Sequence, residues 1–441
     1  MKRRNFIKAA ATTSAGIMIL PGCVTKGKDP LSKINIALFG VWGRGRTYWK
    51  PLQNENVVAL CDVNADNMAL AAKEFPNATQ YTDWRKCIEQ KDIEAVIIAT
   101  PDHHHAFIAI WAMNRGFHVY CEKPVGECVF EAREVRKKYL ENKDKLATQH
   151  GTQRHAHENF DRVSELVRNG AVGDLEVVQT WGNRTHKETA YRPDAGPAPA
   201  TIDWEQWIGP VNMHPYNPEY FSGGPGMNCL QWNMFHDFGS WQNGDMGAHT
   251  MDLAWNAIDA GLPTTALAIG DPYNPEVCPS DLQASFNIPA NNWRGEILLE
   301  WYQGTVKPKT PHPAINIDRI GHGALFRGTK GALISDFRTR LLIPAFEGGD
   351  MTYFDAPGKD EVADPHGSFF GQWINACKGD LKTSCDFDYA GRMIETLMLG
   401  LVAHRAGSEL EYDSAAGRVT NNSVANDYLR KEYREGWVLN G

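Results

Sequence analysis

Ile34-Asn35-Ile36-Ala37-Leu38-Phe39-Gly40-Val41-Trp42-Gly43-Arg44-Gly45 is a short apolar run that passes directly into a glycine-rich turn. A helical stretch follows, then a second β-rich run, Val57-Val58-Ala59-Leu60-Cys61, closed by Asp62. Strand, glycine turn, helix, strand and acid, in that order, make the βαβ unit of a dinucleotide-binding domain. The glycines let a helix N-terminus approach a pyrophosphate, and the acid accepts hydrogen bonds from the adenosine ribose. An acid there repels a 2′-phosphate, so Asp62 favours NAD over NADP. The pattern has one departure. In G-x-G-x-x-G register Gly40 and Gly45 fall on glycine positions, but Trp42 occupies the middle one.

Further βα units follow. Residues 66–75 and 84–90 read as helices, and 93–99 is a continuous apolar strand of the kind buried on both faces of a parallel sheet. That strand ends in Thr100-Pro101-Asp102-His103-His104-His105. A helix over 106–115 then stops at Gly116. Val119-Tyr120-Cys121-Glu122-Lys123-Pro124 comes next. Proline cannot continue a central strand, and it fixes a turn that aims Lys123 into the crevice at the C-terminal edge of the sheet. A helix begins near Phe130, and 145–148 supplies one more strand before Gln149-His150-Gly151-Thr152-Gln153-Arg154. The spacing predicts a Rossmann domain over 33–153. Its candidate cofactor contacts are Gly40, Trp42, Gly43, Arg44, Gly45, Asp62, Thr100, Pro101, His105, Glu122, Lys123 and Gln153. Three adjacent histidines do not converge on one ion without special backbone geometry, so no metal is expected, and His105 reads as a helix-start residue near the cofactor.

Past a helix over 160–169 the character changes. Longer strands at 174–181, 296–302 and 332–337 suit a large, mostly antiparallel sheet in an α+β domain covering 154–441. The fold class expected is therefore α/β plus α+β. Residues 185–243 are rich in Trp, Asn, Pro and Gly, and irregular stretches of that length are usually functional. Trp204, Trp207, Trp232 and Trp241 could stack on sugar rings, with core filling expected for at least half of them. In Gly244-Asp245-Met246-Gly247-Ala248-His249, Asp245 and His249 are four apart and share one face of a helix start. An acid beside a histidine can orient it and raise its basicity, making a general base.

The glycine turn, Asp62, the Thr100–His105 run and Glu122-Lys123-Pro124, in this order and spacing, resemble the Gfo/Idh/MocA oxidoreductase family. Asp245 to His249 is similar to that family's D-x-G-x-H element, which follows a D-F-G run, here Asp237-Phe238-Gly239. Phe326-Arg327-Gly328-Thr329-Lys330-Gly331, Trp373-Ile374-Asn375-Ala376-Cys377-Lys378-Gly379 and Arg434-Glu435-Gly436-Trp437 resemble segments of its exported members. The resemblance implies that Lys123 sits beside the nicotinamide and the substrate hydroxyl, with His249 opposite. It implies oxidation of a sugar or glycoside hydroxyl, at carbon 3 of a glycoside, by hydride transfer to tightly bound NAD. His249 would take the hydroxyl proton, Lys123 would stabilise the alkoxide, and Asp245 would hold the imidazole. Some exported relatives instead run a redox-neutral hydrolysis through oxidation, elimination, hydration and reduction. A non-catalytic sugar-binding protein is the third class, but a pure binder needs no base beside a hydride acceptor. The partners implied are a small carbohydrate and further copies of this chain.

The 441 residues are enough for two or three domains, and a 42% hydrophobic, 22% charged composition is globular. A net charge of -8 argues against nucleic acid or an anionic membrane as partner. No mature apolar run reaches the ~20 residues of a membrane helix. Arg3-Arg4-Asn5-Phe6 ahead of an apolar stretch at 9–20 resembles a Tat signal over 1–23, and Leu20-Pro21-Gly22-Cys23 resembles a lipobox, making Cys23 a candidate lipid anchor. Residues 24–32 form a tether. A periplasmic or periplasm-facing, membrane-anchored location is expected. The eight remaining cysteines show no CxxC pair and are expected as free thiols.

Overall fold

The computed structural model describes residues 32–223, 230–345 and 368–441. The Tat-like stretch with Cys23, all but the end of the tether, and Cys229 lie outside the described residues. The seven described cysteines are buried and free.

Six short strands form the first sheet: β1 (Asn35–Phe39), β2 (Asn56–Cys61), β3 (Thr79–Tyr81), β4 (Ala95–Ile98), β5 (His118–Cys121) and β6 (Thr148–His150). All pairs are parallel, in the order β3-β2-β1-β4-β5-β6. Strand order reverses between β1 and β4, which opens a crevice beyond their C-terminal ends. β4 is buried along its whole length, as a strand covered on both faces must be. Side chains of β1 alternate: Ile36 and Leu38 enter one apolar cluster, Ala37 and Phe39 the other. The helix Ala65–Glu74 begins where the Asn64 side chain accepts the N–H groups of Asp66 and Asn67. The helix His105–Asn114 is apolar on nearly every side and lies buried against the sheet.

The second sheet has nine strands: β7 (Leu175–Gly182), β8 (Thr265–Gly270), β9 (Leu282–Ile288), β10 (Ile297–Gln303), β11 (His322–Gly328), β12 (Gly331–Ser335), β13 (Arg340–Pro344), β14 (Leu410–Asp413) and β15 (Arg418–Val419). Their order is β13-β12-β11-β7-β10-β9-β8-β14-β15. Only β7 and β10 pair in parallel; the other pairs are antiparallel. Strict alternation in β9 buries Leu282, Ala284, Phe286 and Ile288. The helices Met246–Ile258 and Phe387–Ala406 cover the sheet.

Between β7 and the helix Met246–Ile258 the described residues make only short helical turns, around an aromatic cluster of Trp207, Tyr220, Phe235, Phe238 and Trp241. Trp204 stacks on Trp207 with ring centroids 4.6 Å apart, and Trp232 also packs against the cluster. Trp207 and Trp241 are thus core residues, not platforms for a sugar.

The two sheets lie on either side of residue 153, but their packing does not respect that line. Phe369, Trp373, Ala376, Cys377 and Cys385 complete the apolar cluster around Ile36, Leu38, Ile97 and Tyr120 on one face of the first sheet. On the other face Trp437 packs against Trp84 and Phe107, while Trp111 donates a hydrogen bond from Nε1 to the Val438 carbonyl at 3.0 Å. Trp373 is fully buried, its ring 5.7 Å from Tyr120 in an edge contact. Trp373→Ala should therefore destabilise the first sheet as a core substitution there would, by ~3–5 kcal/mol in a urea titration.

Candidate active site

The glycine turn shows how the chain accommodates Trp42. Gly40 takes φ +75°, and a Cβ there would lie 2.5 Å from the Ala99 carbonyl oxygen. Gly45 packs so closely that a Cβ would lie 1.9 Å from the Gly40 oxygen. The left-handed conformation expected near the middle position falls one residue late, on Gly43 at φ +56°, beside open space. Trp42 turns its indole sideways, with the Arg46 guanidinium 4.7 Å from its centroid and Trp49 at 5.8 Å. The helix beyond the turn is short, a 3-10 turn Gly45–Tyr48 followed by Trp49–Leu52.

Asp62 closes the turn from β2. Its two carboxylate oxygens accept the N–H groups of Val41 and Asn64, each at 2.9 Å. Burial raises its pKa, while those backbone donors oppose the rise.

Glu122, His105 and Lys123 diverge in role. Glu122 accepts hydrogen bonds from Arg44 Nε at 2.6 Å and from the Tyr48 hydroxyl. It thereby ties the Glu-Lys-Pro loop to the glycine turn, and Gly151 leaves room for it. His105 lies between two carbonyls, with Nδ1 2.7 Å from that of Pro124 and Nε2 2.9 Å from that of Thr100, and the one N–H of its neutral ring donates to one of them. Its ring bridges the Thr-Pro loop and the Glu-Lys-Pro loop at the start of the helix His105–Asn114. His103 and His104 both point to the Trp207 carbonyl, at 2.8 and 3.0 Å. The three histidines are therefore anchored to backbone.

Lys123 Nζ pairs with Asp245 Oδ1 at 2.5 Å, and Arg184 pairs with Asp245 Oδ2 at 2.6 Å. Burial would raise the Asp245 pKa, but the charges of Lys123 and Arg184 hold it well below the usual carboxylate range. Asp245 was expected to hold the His249 imidazole. Among the described residues no hydrogen bond joins them, and His249 Nδ1 is buried without a partner. The reason is charge: two cations outbid a neutral ring for one carboxylate. Burial, then Lys123 and Arg154, push the His249 pKa well down, so the imidazole is neutral at neutral pH. Asp102, buried beside this group, is pushed up to about 8 mainly by burial, and it accepts a hydrogen bond from Asn233 at 2.8 Å.

Several participants carried no local signal in the sequence. Arg184 opens the irregular stretch, and Phe337 gathers Arg154, His249 and His322 around its ring. His155, Asp252 and Cys385 offer ligand atoms within 4.8 Å of one another. Asp252 Oδ1 is already shared by His155 Nδ1 at 2.8 Å and the Tyr389 hydroxyl at 2.6 Å, a hydrogen-bonded tie between the loop after β6 and two helices.

Residues 34–150 match the family described as an oxidoreductase family with an NAD-binding Rossmann fold, GFO_IDH_MocA. Residues 34–150 are thus similar to the NAD-binding domain of the Gfo/Idh/MocA oxidoreductases. A glycosyl hydrolase family 109 protein of Stenotrophomonas maltophilia is 32% identical over 210 residues, 44% of this chain and 43% of that protein. An inositol 2-dehydrogenase of Salmonella typhimurium is 29% identical over 123 residues, 28% of this chain and 36% of that enzyme. The aligned stretches thus span less than half of these relatives. The WlbA dehydrogenase of Bordetella pertussis, solved with NADH and UDP-GlcNAcA, shares the fold with a TM-score of 0.61 at 16% identity, covering 86% of this chain and 99% of that one.

The crevice of this domain suits a dinucleotide. Thr100 Oγ1, Gln153 Oε1 and Thr152 Oγ1 are buried polar atoms without partners at the C-terminal ends of the strands, and Gly43 leaves the turn open. Arg44 and Gln153 line a recess beside the turn. NAD fits this donor and acceptor set. Gly45→Ala should force the turn apart and weaken NAD binding by about tenfold or more, the equivalent of ~1.4 kcal/mol. Isothermal titration tests it, with Gly295→Ala, where a Cβ meets only open space, as the control.

Proposed function

We propose that this protein oxidises a sugar or glycoside hydroxyl, at carbon 3 of a glycoside, with tightly held NAD. The observation that carries the proposal is the Lys123–Asp245–Arg184 cluster beside a neutral His249 at the mouth of a dinucleotide crevice. NAD, when bound, supplies the hydride acceptor. Gly40, Gly43 and Gly45 shape the turn that admits its pyrophosphate, and Asp62 disfavours the 2′-phosphate of NADP. Lys123 has three N–H groups and gives only one to Asp245, so two are free to donate to a substrate oxygen. Its charge stabilises the negative charge that grows there as the proton leaves. His249 receives that proton; a depressed pKa keeps it in the accepting form. Asp245 fixes the ammonium, where the resemblance had assigned it to the imidazole.

A second reading has a specific support, the 32% identity to a glycosyl hydrolase family 109 protein. There the same residues serve a redox-neutral glycoside hydrolysis, with NAD regenerated in each cycle. Export of the folded chain by the twin-arginine stretch, to the periplasm or to a lipid-anchored position at Cys23, belongs to this proposal, since bound NAD would then be loaded beforehand.

Two outcomes are expected. Lys123→Met and His249→Ala should each lower turnover ~10²–10⁴-fold while bound NAD, read by mass spectrometry of the denatured supernatant, is retained. Because protonation of His249 removes the base, activity should persist below the ordinary histidine value of ~6.5 and fall only as pH drops through its depressed pKa. An acid limb of kcat/KM at or above that value would assign the base elsewhere. Product analysis on a panel of glycosides separates a keto-sugar from a released aglycone.

A further inference from the structure

Arg154 is the cation that the proposed chemistry leaves unused. It lies in the 3-10 turn Gln153–Ala156 just after β6, with its guanidinium carbon 4.0 Å from the centre of the Phe337 ring. His249 and His322 approach the same ring at 6.5 and 6.4 Å between centroids, so Phe337 places this guanidinium next to the base. Arg154 Nε is buried without a hydrogen-bond partner, and among the described residues no carboxylate pairs with this side chain.

The nearby charges do not balance it. Asp245 spends both oxygens on Lys123 and Arg184. Arg44, the next cation, is matched by Glu122. Burial and then Arg184 and Arg338 push the Arg154 pKa down from its ordinary value, and burial, Arg184 and Arg154 take His322 to about 4. Lys123, Arg184 and Arg154 thus face Asp245 where the substrate must lie, while Asp102, pushed up to about 8 mainly by burial, adds little negative charge at neutral pH. A half-buried guanidinium without a counter-ion is costly unless a ligand completes it.

We infer that the substrate is an anionic sugar whose acidic group, a carboxylate or a phosphate, is held by Arg154 while Lys123 and His249 address the reacting hydroxyl. This rests on the sugar-oxidation reading above and names its substrate class. The planar guanidinium, backed by the Phe337 face, offers two parallel N–H donors to such a group.

Calorimetric titration of the NAD-loaded protein tests it. The probes are glucuronate and galacturonate, glucose 6-phosphate and galactose 6-phosphate, and neutral glucose and galactose. At least one anion should bind roughly 10–100-fold more tightly than its neutral counterpart. The acid or the phosphate that does so identifies the group. In Arg154→Met, whose side chain still covers Phe337, that ratio should collapse toward one; in Arg154→Lys it should fall only in part. Equal binding of neutral and anionic sugars, or an Arg154→Met ratio unchanged from wild type, overturns the inference and leaves the oxidation reading standing. Binding of no sugar at all overturns both. If Arg154→Met instead sheds NAD, the arginine serves the cofactor and the inference falls.

Discussion

The ion pair between Lys123 and Asp245 joins the two sheets at the crevice, beside further polar ties such as Arg133–Glu395 and Lys431–Glu127. Lys123 follows the last residues of β5, while Asp245 immediately precedes the helix Met246–Ile258 that lies on the second sheet. A 2.5 Å contact between them sets the relative position of the dinucleotide crevice and the substrate side. Arg184 on the other carboxylate oxygen keeps Asp245 from swinging toward His249. Removing either partner of such a buried pair leaves an uncompensated charge, so the arrangement is rigid by energetic necessity.

Around that pair the protein spends polar side chains on loop geometry. Glu122 Oε1 accepts from Arg44 and Tyr48, and the His105 ring lies between the carbonyls of Thr100 and Pro124. These contacts fix the glycine turn, the Thr-Pro loop and the Glu-Lys-Pro loop against one another. What remains unpaired in the crevice is therefore informative. Thr100, Gln153, His150, His249 and Arg154 keep buried polar atoms without protein partners, clustered where a cofactor and a substrate would supply them.

The late segments matter for the same reason. Residues 369–378 and 433–439 seal the two faces of the first sheet, so the crevice is complete only when the end of the chain has docked. The two sheets consequently form one packed body in which Trp373 and Trp437 serve the sheet that precedes them by more than two hundred residues.

The sequence by itself determined the doubly wound first sheet, the mostly antiparallel second sheet and the lysine aimed by Pro124. Each depends on spacing within a few residues: apolar runs, glycine turns and a proline at a strand end. It also placed Asp62, Gly40 and Gly45 at the turn and singled out Lys123, Asp245 and His249 as candidates. It could not assign Asp245 its partner. A spacing of four suggested His249, yet the choice was made by Arg184 and Lys123, which are 61 and 122 residues away in the chain. Nor could it expose Arg154, since an arginine after a strand looks ordinary until Phe337 packs beneath it. Local order follows from backbone geometry and periodicity, which are written along the chain. Which charges are paired, and which are left for a ligand, follows from distances that exist only after the two sheets have closed on each other.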